Sequence, residues 1–368
     1  MQQNISRPIV SVLLAVHNGE QHLARAVESI LKQTFDDLEL IIINDCSTDK
    51  TAEIINSFND DRIRILENKS NLGLASSLNR GWGAARGKYI ARMDADDISM
   101  PKRLEYQVKF MEKNPDVTIC GTRVKTVGFH GGEVWHFPLE HEHIRAHFLF
   151  HNAMSHPSVL IRRDDLAAEE MIYEEGRQRV EDYELWVRLS RKFRLHNLEK
   201  ILLLYRVYDT ATLKKHKAVV SVGNQIRRAL LEELGIDMDD RTMHLHEQIV
   251  FRTFAPSIEL LEESRRWLEL ILEKNREKAI YDQLYLEHEV ARHWYRTCKF
   301  STNLGMRAWR AFWDSDISEQ ARLFNTYMLG FYLRCLIRMD PKKWIFSPKK
   351  MFRSTLYRIC KAFDLYYI

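Results

Sequence analysis

Apolar runs that stop abruptly at polar turns constrain this chain more than any other feature. Ile9–Val16 is continuously apolar apart from Ser11, and it halts at His17-Asn18-Gly19-Glu20. Leu38–Ile43, apolar apart from Glu39, halts at Asn44–Asp49, and Lys88–Met93, apolar apart from Lys88 and Arg92, halts at Asp94-Ala95-Asp96-Asp97. A short apolar run of this kind suits a strand buried on both faces, as in a parallel sheet covered by helices. Between the runs the spacing turns helical. Leu23, Val27, Ile30 and Leu31 share one helix face, and Ile54, Ile55 and Phe58 follow a turn that Thr48 or Asp49 can cap. Ile63–Leu66 reads as a further strand, Leu74–Ala85 as a helix, and Pro101–Lys113 as a helix with proline in its first turn. Repeated βα units predict an α/β fold with a doubly wound, mostly parallel sheet. Its ligands belong at the carboxyl ends of the strands, where the three polar clusters fall.

The pattern changes near residue 212. Ala218–Leu234, His244–Phe254, Ile258–Lys274 and Arg276–Phe300 are rich in Leu, Glu, Arg and Lys and read as helices. The predicted organisation is an α/β domain over 1–212, an all-helical domain over 213–330 and a basic, aromatic, amphipathic tail over 331–368. The net charge of +4 hides the asymmetry, because Gly330 to Ile368 holds nine Lys/Arg against Asp340 and Asp364. Phe352, Leu356, Ile359 and Phe363 form one apolar helix stripe in that tail. The composition suits an anionic membrane surface, and it equally suits docking on the chain's own helices. No apolar run approaches the ~18 residues of a membrane span. The five cysteines are scattered without metal spacing, which fits a reducing compartment. No helix-turn-helix, RRM or zinc pattern supports nucleic-acid binding. The expected location is therefore cytoplasmic, with the tail as a means of peripheral attachment to the cytoplasmic face of an inner membrane.

Asp94, Asp96 and Asp97 crowd three carboxylates into four residues, which is costly unless cations or donors neutralise them. Oxygen ligands of this kind suit Mg²⁺ or Mn²⁺; a solvated turn before the Pro101 helix is the plainer alternative. Asp45, directly after a buried strand, can accept from a nucleobase N–H or a ribose hydroxyl, or can serve the turn itself.

Together these segments resemble the family 2 glycosyltransferases, inverting enzymes of the GT-A fold. The resemblance rests on Val10–Asn18, Ile41–Asp49, Asn71-Leu72-Gly73-Leu74, Ala85–Asp97 and Val180-Glu181-Asp182-Tyr183-Glu184-Leu185-Trp186, in that order. It implies a nucleotide pocket edged by Ala15, His17, Asn18 and Glu20, with Asp45 reading the uracil or ribose. Asp94 and Asp96 become the DxD pair, Asp96 the main ligand of Mn²⁺ or Mg²⁺ and Asp94 lying against ribose and metal. Asp182 becomes the general base, with Glu181 as its neighbour. His156, Glu181 and Trp186 are candidates for the acceptor side, although His151, His156 and Trp186 suit structural roles as well. Arg206 can meet a diphosphate or a salt bridge. The implied reaction moves a sugar from a nucleotide diphosphate, UDP above all, to a glycan or lipid-linked glycan in the assembly of bacterial surface polysaccharide. The rivals are a catalytically silent nucleotide-sugar-binding or scaffold module and a sugar nucleotidyltransferase. The latter would carry a Gly-rich basic loop in place of His17–Glu20. The chain departs from the resembled pattern with Ala15 for Pro, His17 for Tyr, Asn44 for Asp, Cys46 for Gly, and Tyr208 where many relatives have His.

Overall fold

The computed structural model describes residues 7–129, 131–166, 173, 180–208, 213–318 and 325–338. The chain divides into two compact units. The first comprises Met1–Ile144 and Asn152–Gly223, the second Arg145–His151 and Asn224–Ile368.

The first unit opens with the expected alternation: β1 (Val10–Val16), α1 (Leu23–Leu31), β2 (Leu38–Asn44), α2 (Thr51–Asn56), β3 (Ile63–Glu67), α3 (Leu74–Ala84) and β4 (Tyr89–Asp94). β1 lies parallel to β2 and β4, and β2 parallel to β3. Every residue of β2 is buried, and Leu23, Ala26, Val27 and Ile30 close α1 over the sheet. Each such side chain contributes about 1.5–3 kcal/mol on burial. Two features explain polar residues inside this layer. Glu39 on β2 is buried, but it accepts from Ser11 Oγ at 2.6 Å and pairs with Arg64 and Arg86 at 2.7 and 2.9 Å. Gly87 leads into β4 so close to β1 that a Cβ would meet Ser11 N at 2.5 Å; only glycine fits there.

The rest of the unit is β5 (Ile98–Ser99), α4 (Arg103–Lys113), β6 (Val117–Gly128), β7 (Val134–Trp135), α5 (His141–Phe148, as far as Ile144), β8 (Leu160–Arg162), α6 (Glu181–Leu189) and β9 (Arg194–Val207). The strand order is β3-β2-β1-β4-β8-β6-β9-β5, with β7 on β6. The long β6–β9 ladder is parallel, whereas β8 runs antiparallel to both its neighbours. An α/β fold with a mostly parallel sheet is thus as the apolar runs predict. β5 pairs antiparallel with Leu203 and Leu204 of β9, which draws the loop after β4 against the end of β9.

The second unit is helical. Its helices are α7 (Leu213–Glu233, from Asn224 onward), α8 (Asp240–Phe251), α9 (Ile258–Lys278), α10 (Gln283–Phe300), α11 (Met306–Trp313) and α12 (Asn325–Leu336). Asp239, Ser257 and Asp282 cap α8, α9 and α10 through their side chains. The break between the helices expected over Ile258–Lys274 and Arg276–Phe300 falls later, at 279–282. Ala279 turns left-handed at φ 53°, and Asp282 then starts α10 by accepting from Leu284 N and Tyr285 N. α12 runs through the expected start of the tail, and its Phe331 is buried among Phe312, Trp309 and Tyr295. The stripe Phe352–Phe363 lies outside the described residues. Among the described residues, no helix is long and apolar enough to cross a membrane.

Candidate active site

The ends of β1 and β2 are tied together by their own polar turns. His17 Nδ1 lies 2.8 Å from Asp45 O, Asn18 Oδ1 accepts from Thr48 N at 2.8 Å, and Gly19 N donates to Thr51 Oγ1 at 2.8 Å. Glu20 N donates to Asp49 Oδ2, and Lys50 N returns a bond to Glu20 Oε2. Asn18 and Cys46 sit in the left-handed region, at φ 54° and 57°. This leaves the His17 and Asn18 side chains exposed at the strand ends, with Ala15 half-buried beside them.

Asp45 is placed differently from the expectation. It is buried, and its carboxylate accepts from Asn68 Nδ2, Leu72 N and Gly73 N, each at 2.8 Å. These bonds hold the turn Asn71–Gly73, where Gly73 has φ 84° and begins α3. The carboxylate organises this turn and so does not present itself to a nucleobase. Its contribution to a ligand is the position of the backbone it holds.

Ala15 and Asp94 are register partners across β1 and β4, so the acidic cluster stands directly beside the β1 end. Arg92, buried on β4, pairs with Asp94 at 2.5 Å. Tyr208 Oη donates to Asp96 Oδ2 at 2.8 Å, while Arg206 donates from its backbone N to Asp97 Oδ1 at 2.7 Å and from Nε to Asp96 O at 2.9 Å. Asp94 is thus answered by an ion pair, and Asp96 and Asp97 by hydrogen bonds from Tyr208 and Arg206 at the end of β9. One carboxylate oxygen from each of Asp94, Asp96 and Asp97 lies within 4.8 Å of the others. Burial, then the charge of Asp94, raises Asp96 and pushes Asp97 up to about 8. Asp97 Oδ2 is buried with no hydrogen-bond partner. Three hard oxygen donors, one of them unsatisfied, fit a divalent cation such as Mg²⁺ or Mn²⁺. Asp97 joins the expected Asp94 and Asp96 in that set.

Asp182 lies in the first turn of α6. Its Oδ2 accepts from Asn152 Nδ2 at 2.8 Å and its Oδ1 from Tyr183 N at 2.8 Å. Asn152 Oδ1 accepts from Met154 N, which fixes the amide so that its NH₂ points at Asp182. Burial, then the adjacent Glu181, raises Asp182 to about 7. Asp182 and the acidic cluster belong to one electrostatic neighbourhood. Tyr205 feels the charges of Asp94, Asp97 and Asp182, and Tyr173 those of Arg92, Asp182, Glu181 and Asp94. The arrangement can hold a cation on one side and accept a proton on the other.

The acceptor-side candidates fare less well. Trp186 is fully buried, and His156 is buried with its Nε2 2.9 Å from Tyr173 Oη and its ring edge-on to Trp186. Both build the interior under α6, so neither can stack on or bind a sugar. Glu181 is also buried, and acts on Asp182 through its charge. Sequence reasoning assigned no role to Asn152 or Arg92. It registered Tyr208 only as a departure from the resembled pattern.

The description "Glycosyl transferase family 2" matches residues 11–168. An uncharacterized glycosyltransferase of Haemophilus influenzae is 34% identical over 249 residues, spanning 63% of this chain and 77% of that one. The O-antigen biosynthesis glycosyltransferase WbnJ of Escherichia coli is 30% identical over 234 residues, 61% of this chain and 90% of that one. Among solved structures, S. aureus TarS 1-349 in complex with UDP-GlcNAc aligns with a TM-score of 0.53 at 18% identity, covering 87% of this chain and 92% of that one. At that identity the likeness is one of fold.

Proposed function

The chain belongs to glycosyl transferase family 2 and is a glycosyltransferase, and from that premise we propose that it is a metal-dependent, inverting enzyme. It transfers a sugar from a UDP-linked donor to a saccharide or lipid-linked saccharide acceptor in the assembly of surface polysaccharide. The observation that carries the mechanism is Asp182, a carboxylate held near pKa 7 by burial and Glu181, within the neighbourhood of the Asp94–Asp97 cluster. The TarS complex with UDP-GlcNAc and the O-antigen role in the name of WbnJ support the donor and the pathway class.

Asp182 accepts the proton of the acceptor hydroxyl as that oxygen attacks the anomeric carbon. General-base assistance of this kind contributes about 10²–10⁴-fold. Asn152 keeps Oδ2 oriented and favours the unprotonated form, because an NH₂ donates to it. Attack from the face opposite the leaving group inverts the anomeric centre. Asp94, Asp96 and Asp97 would hold a divalent cation, which when bound supplies charge stabilisation to a diphosphate leaving group. Arg92 and Arg206 set the positions of those carboxylates from within the protein. Ala15, His17, Asn18 and Glu20 edge the nucleotide side, with the backbone turn fixed by Asp45 beneath. A basic tail on the cytoplasmic face of a membrane would bring a lipid-linked acceptor to this site.

The test is calorimetry with UDP, GDP, dTDP and CDP, with and without Mn²⁺, on the wild type and an Asp94→Ala/Asp96→Ala variant. Mn²⁺-dependent binding of UDP, lost in the variant, is the expected result. Folded wild-type protein that binds none of the four would overturn the reading.

A further inference from the structure

The second unit contains a concentration of positive charge that the transferase reading does not use. Arg292 and Arg296 stand one turn apart on α10, with His293 between them. Arg252 ends α8 in the left-handed conformation at φ 55°. Arg227 of α7 stacks on Phe251 at 5.1 Å, and the His151 ring meets Phe251 edge-on at 5.9 Å. His151 in turn stacks on His293 at 5.4 Å. Burial lowers both Arg296 and His151; the charges of Arg292 and Arg252 lower Arg296 further, against Glu289, and those of His147, Arg292, Arg296 and Arg227 lower His151 further.

Glu289 is the carboxylate that answers this cluster, and it is already engaged. It accepts from Arg292 at 2.6 Å and lies 3.1 Å from His147 Nδ1. Arg252 and Arg296, both half-buried, make no hydrogen bond or ion pair with any described residue. The His293 ring is fully buried against Phe150 at 4.1 Å, and neither of its nitrogens has a partner. Guanidinium groups gathered in a partly desolvated place, with Glu289 the one carboxylate described among them, repel one another and lose hydration. A planar fork of N–H donors matches phosphate oxygens and binds them bidentately. Repulsion, too few acids and an orphaned buried imidazole thus have one common remedy, an anion with several oxygens.

We propose that Arg252, Arg296 and Arg292, backed by Arg227 and the His151–His293 stack, form a phosphoryl-binding site in the second unit, whose ligand is a phosphate monoester or diphosphate group. The site lies apart from the acidic cluster in chemistry, and the proposal does not rest on the donor reading. The same group can arrive on a soluble molecule or as the headgroup of a lipid.

The experiment uses the full chain without divalent metal, in EDTA and at constant ionic strength, so that the acidic site does not report. Binding of inorganic pyrophosphate is measured by calorimetry. Co-sedimentation is measured with phosphatidylcholine vesicles, plain or containing phosphatidic acid. The wild type and an Arg252→Gln/Arg296→Gln variant are compared. Loss of two charge-assisted contacts weakens binding about tenfold or more. Pyrophosphate binding alone, lost in the variant, supports the site with a soluble ligand. Variant-sensitive sedimentation that needs phosphatidic acid supports it with a lipid headgroup. Should the Gln variant unfold, Arg252→Lys/Arg296→Lys keeps the charge and removes the fork, and a smaller but distinct loss is expected. Binding of neither probe, or binding equal in wild type and variant, overturns the proposal.

Discussion

The two units gather like charges in opposite ways. In the first, three carboxylates converge at strand ends, and each is met by a donor of the protein itself: Arg92 for Asp94, Tyr208 for Asp96, and the Arg206 backbone for Asp97. In the second, Arg252 and Arg296 share a partly desolvated place with no described partner. The difference is one of preorganisation. Strands of fixed register bring the acids and their donors together in one geometry, so a cation would meet a site already shaped. Guanidiniums on flexible stems at helix ends gain their order from the ligand. The acidic site is therefore expected to be sensitive to small displacements, and the basic one chiefly to loss of charge or fork geometry.

The largest effect should come from the proton acceptor, which has no counterpart in the second unit. Asp182→Asn is expected to lower the rate of sugar transfer by about 10²–10⁴-fold while leaving Mn²⁺-dependent UDP binding unchanged. The wild-type rate should climb as pH rises through about 7, because the carboxylate must lose its proton before it can take another. The Asn variant should lose that dependence. A flat wild-type profile from pH 5 to 9 would remove Asp182 from the base role.

A second substitution on the same helix separates site from scaffold. Trp186 is fully buried four residues after Asp182, and Trp186→Ala should destabilise the fold by about 3–5 kcal/mol in denaturant unfolding. UDP affinity of the remaining folded protein should not change. An affinity that falls as steeply as stability would return Trp186 to the site.

This pair of neighbours also marks how far the sequence could be read. The strand ends were legible because burial on both faces demands mostly apolar residues, and a cluster such as Asp94–Asp97 directly after such a run is conspicuous. Asp182 was legible only through the resemblance, since its raised pKa depends on burial, and its orientation on Asn152, thirty residues away. Side-chain direction was not legible. Asp45 turns toward backbone donors at Leu72 and Gly73, and Trp186 and His156 turn inward. Both directions are set by tertiary packing, which no local pattern records. Tyr208 stands 112 residues from Asp96, and only the pairing of β5 with β9 brings the two together. In the helical unit, the break between α9 and α10 was read a few residues early, for a simple reason. Ala279 is a good helix former placed in a left-handed turn, where glycine is the usual signal.

Ligands of opposite sign test the contrast between the units directly. Mn²⁺ added to metal-stripped protein should stabilise the wild type by about 2.7 kcal/mol at a hundredfold excess over Kd. Asp96→Asn should lose most of that gain. Pyrophosphate in EDTA should stabilise both proteins equally, since its site draws on the second unit. If Asp96→Asn removed the pyrophosphate gain as well, the two clusters would not be independent.

The smallest effect is the sharpest probe of the acidic geometry. Tyr208 Oη supplies the one protein hydrogen bond to the Asp96 carboxylate from a neighbouring element among the described residues, and the tyrosine is otherwise largely exposed. Tyr208→Phe removes a hydroxyl and no buried packing, so global stability should stay within about 0.5 kcal/mol. Mn²⁺-dependent UDP affinity should fall by about 1–1.5 kcal/mol, roughly five- to tenfold, because Asp96 loses the donor that orients it. Tyr208→His restores a donor at the position where many resembling chains carry histidine, and it should recover part of the affinity. If Phe and His bind UDP like the wild type, the β9 end covers the acidic cluster without shaping it. The register of β1 and β4 would then be sufficient to set the three carboxylates.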